Sequence, residues 1–207
     1  MFDAIDVLRQ GGWPMIPLAF CSLAAVTIII ERLVALRRGR VLQAGVVDAL
    51  QSYAGEDSVQ PTLDVCMQSG GAFARIIEEL LGARHLDHVH VIETVHVTGR
   101  REVGRLERGL IVLEIIAGIS PLIGLLGTVL GMVTVFNAIT AEGIGDPQVL
   151  SAGISKALIT TVAGLCVAIP SLAFHSYLSN LVESMAIEME ELATGFSARI
   201  RAFPRQA

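Results

Sequence analysis

Three long apolar runs interrupt a chain whose other segments mix polar and apolar positions at helical spacing. The first, Pro14 to Ile30, is seventeen residues long. With Trp13 in front and Leu33 behind, it reaches the roughly 20 residues that cross a bilayer. The second runs from about Leu110 to Phe136, longer than a bilayer needs, and is predicted to tilt or project from it. Residues His90 to Arg108 ahead of it contain no proline, which allows one helix to run on into the span. The third is Ile154 to about Leu178. Between the first two runs, helical spacing recurs in Val41–Tyr53 and Phe73–Leu81, broken by Gly55–Pro61 and Gly70–Gly71. After the third, Leu178, Leu181, Met185, Met189, Leu192 and Phe196 share one face, with Glu183, Glu188, Glu190 and Glu191 largely elsewhere. The pattern predicts an all-α membrane protein. Its segments are an outer leader 1–12, a span 13–33, a helical loop 34–108, a span 109–136, an outer loop 137–153, a span 154–178 and a helical tail 179–207.

The second and third spans are rich in small residues. Gly124, Thr128 and Gly131 step by four and three residues, and Gly127–Gly131 is a small-xxx-small pair. Ala157, Thr161, Gly164, Ala168 and Ser171 in the third span recur at four, three, four and three, the 3.5-residue period of left-handed helix packing. Glycine costs helix stability in water, but in lipid it lets helices approach closely, so both spans are predicted to pack through Gly124, Gly127, Gly131 and Gly164. Pro170 removes a backbone hydrogen bond inside the third span and is predicted to kink it.

Composition agrees with the spans: 53% of residues are hydrophobic and 17% charged, with a mean hydropathy of +0.63, more apolar than an ordinary soluble domain. A net charge of −5 and the absence of a basic stripe with interleaved aromatics exclude nucleic-acid binding. Charge also predicts orientation. Ten arginines lie between Glu31 and Arg108, beginning with Arg32, Arg37, Arg38 and Arg40 behind the first span. The tail adds Arg199, Arg201 and Arg205, whereas 137–153 holds Glu142 and Asp146 and no base. The positive-inside rule then places the N-terminus outside and the loop and tail in the cytoplasm. The leader, with Asp3 and Asp6 against Arg9, lacks the cationic start of a secretory signal and is predicted to stay attached. Cys21, Cys66 and Cys166 form no CxxC site and are read as packing residues. His85, His88, His90 and His96 cluster without cysteine or HxxxH spacing, and no metal or cofactor is assigned.

An ion-moving membrane protein usually carries an ionisable group deep in the bilayer. Here the candidates stand near the span ends: Glu114 about one turn inside the second, Lys156 at the outer mouth of the third, and His175 near its inner end. Mid-span, the most polar side chains are Thr128, Thr160 and Thr161. Hydroxyls can hydrogen-bond a carboxylate or hold a file of water, but cannot be the charged acceptor at neutral pH. If the chain conducts protons, that carboxylate comes from another polypeptide.

SPLIGLLGTVLGMVTVF in the second span and GISKALITTVAGLCVAIPS in the third resemble the two signature helices of the MotA/TolQ/ExbB proton channel family. Three spans, a large first loop and a short outer loop resemble its TolQ and ExbB branch. The resemblance implies a bacterial inner-membrane protein, not an enzyme: a pentameric ring around the single spans of a dimeric ExbD/TolR-type partner, whose membrane aspartate takes and releases protons. It also implies that proton flow delivers mechanical work to the envelope, through a TonB- or TolA-type transducer. By motif position Thr128 and Thr161 line the proton path, with Thr160 where the pattern often has alanine, and Pro121 and Pro170 are structural. The chain departs from the pattern at Lys156, where the family's GISEAL has glutamate, and at His175–Ser176, where Tyr-Asn is usual. The alternatives are a passive oligomeric scaffold, a stator for motility or secretion, and a solute transporter. The last lacks an inverted repeat or broken helices at the midplane.

Overall fold

The computed structural model describes residues 12–142 and 147–202. Most of the leader, with Asp3, Asp6 and Arg9, lies outside the described residues, as do Asp146 in the outer loop and Arg205. Every regular element among the described residues is helical: α1 Met15–Ala35, α2 Arg38–Val41, α3 Ala44–Gln51, α4 Val59–Ser69, α5 Ala72–Gly82, α6 His88–Leu106, α7 Leu110–Glu142 and α8 Pro147–Ala202, with short 3-10 turns at Glu56–Ser58 and Ala83–His85. They form two compact units. One holds α1 as far as Glu31 together with 109–177; the other holds 32–108 together with α8 from Leu178 onward.

In the first unit α1, α7 and the first half of α8 are long and apolar enough to cross a membrane. Their outer faces carry Ile16, Phe20 and Leu23 on α1, Leu122 and Phe136 on α7, and Leu158, Val162 and Ile169 on α8, each more than half exposed. In water a continuous apolar surface of that kind would drive aggregation; in lipid it is the required exterior. Thr27, the hydroxyl nearest the middle of α1, donates to the Leu23 carbonyl at 2.8 Å and leaves no unmet polar group.

The prolines of the spans do not end them, since α7 continues through Pro121 and α8 through Pro170. A run-on helix from His90 into the second span is not what forms. The polypeptide breaks between Leu106 and Leu110, where Gly109 takes φ +88°, a left-handed conformation cheap only for glycine.

The second unit is built around α5. Its Phe73, Ile77, Leu80 and Leu81 are wholly buried, a face set by the i, i+4, i+7, i+8 spacing. α5 packs against α4 and α6, and α3 packs against α4. Gly70, at φ +63°, closes α4 so that the chain can turn into α5. Of the predicted apolar face of the tail, Leu178, Met185, Met189 and Phe196 are buried, whereas Leu181 and Leu192 are only half-buried and Val182 and Ala193 take the inner positions beside them. Phe196 meets Tyr53 edge to face, with centroids 5.0 Å apart. The Arg199 guanidinium donates to the carbonyls of Leu50, Gln51 and Tyr53 at 3.0–3.2 Å, so a cation sits on the negative end of α3. Arg38 grips Glu188 through two hydrogen bonds, which hold the Glu188 carboxyl below and the Arg38 guanidinium above their ordinary values.

The polar centre of this unit is Glu102, 2% exposed on α6. Its carboxylate receives Nε and Nη2 of Arg75 at 2.9 and 2.5 Å and Nη1 of Arg105 from one turn along. Arg75 also donates to the Gly70 carbonyl at 2.6 Å, tying the network to the turn that starts α5. Cys66 is buried on α4, and burial, with the Glu78 charge nearby, pushes its thiol up to about 11. Only the thiolate is nucleophilic, and roughly one Cys66 in a thousand is ionised at pH 8. Maleimide at that pH is therefore expected to modify exposed Cys166 in detergent while sparing Cys66 until the protein is denatured. Equal labelling of both thiols in the folded protein, read by mass spectrometry, would show that the site is open.

Candidate functional site

The small residues of α7 and α8 interlock as an antiparallel pair. A Cβ on Gly164 would stand 2.6 Å from the Ser120 carbonyl oxygen and 3.2 Å from the Gly124 Cα. One on Gly124 would stand 3.0 Å from the Thr160 carbonyl oxygen and 3.1 Å from the Thr161 Cα. Gly127 takes the Thr160 side chain directly against its Cα, Gly131 takes Ala157, and Gly153 takes Val135. These glycines serve as slots for the facing helix, and at both ends of the Gly124–Gly164 contact the neighbour is backbone.

The face that packs on α7 is Ser120, Gly124, Gly127, Gly131 and Val135. It differs from the stripe read from spacing alone, because Gly127 rather than Thr128 holds the middle position. Thr128 lies at the edge of the seam, with its Oγ1 donating to the Leu125 carbonyl at 2.6 Å. On α8 the seam is Ala157, Thr160, Gly164, Ala168 and Ser171, all buried. Thr160, 1% exposed, is the threonine at its centre and donates to the Ala157 carbonyl at 2.8 Å. Thr161 is half-buried and its hydroxyl bridges the helices, reaching the Gly124 carbonyl at 3.2 Å. Pro121 is half-buried. Pro170 is exposed outside the α7–α8 contact and lines a groove with Ser22, Ala25 and Val26 of α1.

Two hydroxyls escaped the sequence reading as polar sites. Ser120 and Ser171 are buried at 0% and 1% exposure and donate to Ile116 and Val167 at 2.7 Å. Each follows the i−4 pattern open to any helical serine, so only burial singles them out. A hydroxyl that donates to its own helix still offers acceptor lone pairs. The α7–α8 pair thus carries Ser120, Thr128, Thr160, Thr161 and Ser171 along its length, and no charged side chain among them.

The ionisable residues stand toward the ends. His175 Nε2 lies 3.9 Å from Glu114 Oε2, with His175 mostly buried and Glu114 exposed. Lys156 is exposed, and its ammonium folds over Gly12, where an added Cβ would stand 2.8 Å from Nζ. Two histidines of the second unit each face an acid: His90 meets Asp87 at 3.3 Å and His96 meets Glu190 at 3.6 Å. Among the described residues no three His, Cys, Asp or Glu side chains converge. The arrangement can pass hydrogen bonds along a close helix pair; it offers no carboxylate at the middle of that pair.

Known proteins resemble this chain in sequence. Residues 69–191, which hold α5, α6, α7 and most of α8, match the MotA/TolQ/ExbB proton channel family. An ExbB-like biopolymer transport protein of Synechocystis is 33% identical over 180 residues, 86% of this chain and 71% of the relative. The biopolymer transport protein exbB1 of Vibrio cholerae is 29% identical over 88% of this chain and 82% of its own length. The Tol-Pal system protein TolQ of Haemophilus influenzae is 34% identical over 94 residues, 45% of this chain and 41% of its own. With three apolar helices and a match that takes in the glycine seam, this multi-pass membrane protein belongs to the MotA/TolQ/ExbB proton channel family, alongside TolQ and ExbB.

Proposed function

We propose that this chain is the channel-forming stator subunit of a bacterial inner-membrane motor, which couples the proton motive force to work on the cell envelope. In this reading its N-terminus faces outward and the second unit lies in the cytoplasm, as the arginine distribution favours. Five copies form a ring around an ExbD/TolR-type partner, whose single span brings the membrane aspartate, and a TonB- or TolA-type transducer carries the force onward. The observation that supports it is the α7–α8 pair, held together at backbone distance and lined with hydroxyls but with no mid-span acid. Such a surface can solvate or hydrogen-bond a carboxylate that arrives from outside the chain.

Thr161, Thr128 and Thr160 line the path in this proposal, with Thr161 foremost because its hydroxyl stands between the two helices. Thr161→Val keeps the side-chain volume and removes the hydroxyl. In the complex purified with its partner from the native host and placed in liposomes, proton flux is expected to drop roughly tenfold or more while assembly is unchanged. Wild-type flux in that variant would overturn the path. The chain reconstituted alone is expected to hold a pH gradient, and selective dissipation at full rate would overturn the need for a partner's acid. The tight glycine seam would equally serve a passive scaffold, and a scaffold would tolerate the loss of the Thr161 hydroxyl.

A further inference from the structure

We propose that Glu114 and His175 together form a proton-release pair at the end of the α7–α8 couple opposite Lys156. The inference rests on the proposed proton path and adds the groups through which a proton leaves it. The two residues are 61 positions apart, and neither is a convincing acceptor alone: Glu114 is exposed and His175 is one imidazole near a helix end. The fold sets them 3.9 Å apart, an ion-pair separation.

Their surroundings give the pair a direction. Ser171, buried and one turn before His175 on the same face of α8, is the last hydroxyl of the seam before the imidazole. His175 is 21% exposed at the side chain and Glu114 65%, so the imidazole is the enclosed member of the pair and the carboxylate the open one. Few other charges compete. The remaining charged residues of this unit, among those described, are Glu31 at the end of α1, Glu142 at the far end of α7 and Lys156 on α8, while Cys21, Cys166 and Tyr177 complete the titratable set. Lys156 lies nineteen residues from His175, about 28 Å along α8.

The step balances without any further reactant. A proton arriving along the seam adds to the Nδ1 lone pair of neutral His175 and makes an imidazolium whose Nε2–H faces the Glu114 carboxylate. As the two side chains close from 3.9 Å to hydrogen-bond distance, the Nε2–H bond breaks and an O–H bond forms on Glu114, leaving a neutral imidazole protonated at Nδ1 that proton exchange with water resets. The exposed carboxylic acid gives the proton to water and returns to carboxylate.

The test uses the complex with its native partner in liposomes, with flux read by a pH-sensitive dye. His175→Gln is expected to slow flux roughly tenfold or more. Glu114→Gln, which keeps the size and shape of the side chain, is expected to slow it as well. Because the two act as one unit, the double variant should be no slower than the slower single. A wild-type rate in either single variant would overturn the pair, as would fully additive losses in the double. Thr161→Val, measured alongside, separates the two levels of inference: if it is slow and both of these variants are normal, only the release pair fails; if it too is normal, the path itself fails.

Discussion

Gly164→Ala is expected to lower the stability of the membrane-spanning unit by about 1–3 kcal/mol, the usual cost of overpacking a filled contact. The size of the effect follows from what the new methyl group would strike. It would meet the Ser120 carbonyl oxygen at 2.6 Å and the Gly124 Cα at 3.2 Å, and neither can rotate aside as a side-chain tip can. The helices must part, and the Thr161 hydrogen bond to the Gly124 carbonyl parts with them. Opposing this is the better helix propensity of alanine, about 1 kcal/mol. Gly118→Ala measures that opposing contribution, since nothing lies within 4 Å of its added Cβ. Denaturation midpoints in detergent should therefore fall for Gly164→Ala and stay level or rise for Gly118→Ala. Equal midpoints would mean that the seam is looser than the geometry describes.

Glu102→Ala is expected to cost roughly 1–3 kcal/mol, the range for the charge-assisted hydrogen bonds of a buried carboxylate whose two arginine partners are 40% and 45% exposed. The loss leaves the Arg75 and Arg105 guanidinium groups, each partly open to water, without the carboxylate they share, and it loosens the turn at Gly70 that Arg75 ties down. Glu188→Ala, which breaks an ion pair on the surface of the same unit, should change little, because water replaces what Arg38 loses. The two can be compared by limited proteolysis, with cleavage of 32–108 as the readout. Stability in Glu102→Ala that matches Glu188→Ala would remove Glu102 from the core. The surface pair has its own pH signature. The Arg38 hydrogen bond holds the Glu188 carboxyl below its ordinary value. Its contribution is thus fully present above the unfolded carboxyl range and disappears as pH falls through the lowered value.

The membrane spans were legible because a bilayer imposes one length and one polarity on any helix that crosses it. The tail face was legible for a related reason, since Leu178, Met185, Met189 and Phe196 repeat with the helix and bury together. Where reading from sequence stopped was the choice among neighbours. Gly127 and Thr128 are both compatible with a face through Gly124 and Gly131, as Thr160 and Thr161 are with one through Ala157 and Gly164. Adjacent positions differ by 100° around the axis, and only the opposing helix decides between them. The break at Gly109 needed a backbone angle that composition does not encode. Glu102 with Arg75, and Glu114 with His175, join residues 27 and 61 positions apart on different helices, and no local period reports a contact of that kind.

The unit that contains Glu102 is assembled from two stretches of polypeptide separated by two membrane crossings. Arg38 must wait for Glu188, Tyr53 for Phe196, and the carbonyls closing α3 for Arg199. During synthesis the earlier stretch emerges as an unfinished half, its apolar side uncovered until the final helix has been threaded through lipid and delivered back. Correct insertion is thereby a precondition for a finished domain, and a nascent molecule that fails to complete its crossings would present to cellular proteases the same surface that a finished one conceals.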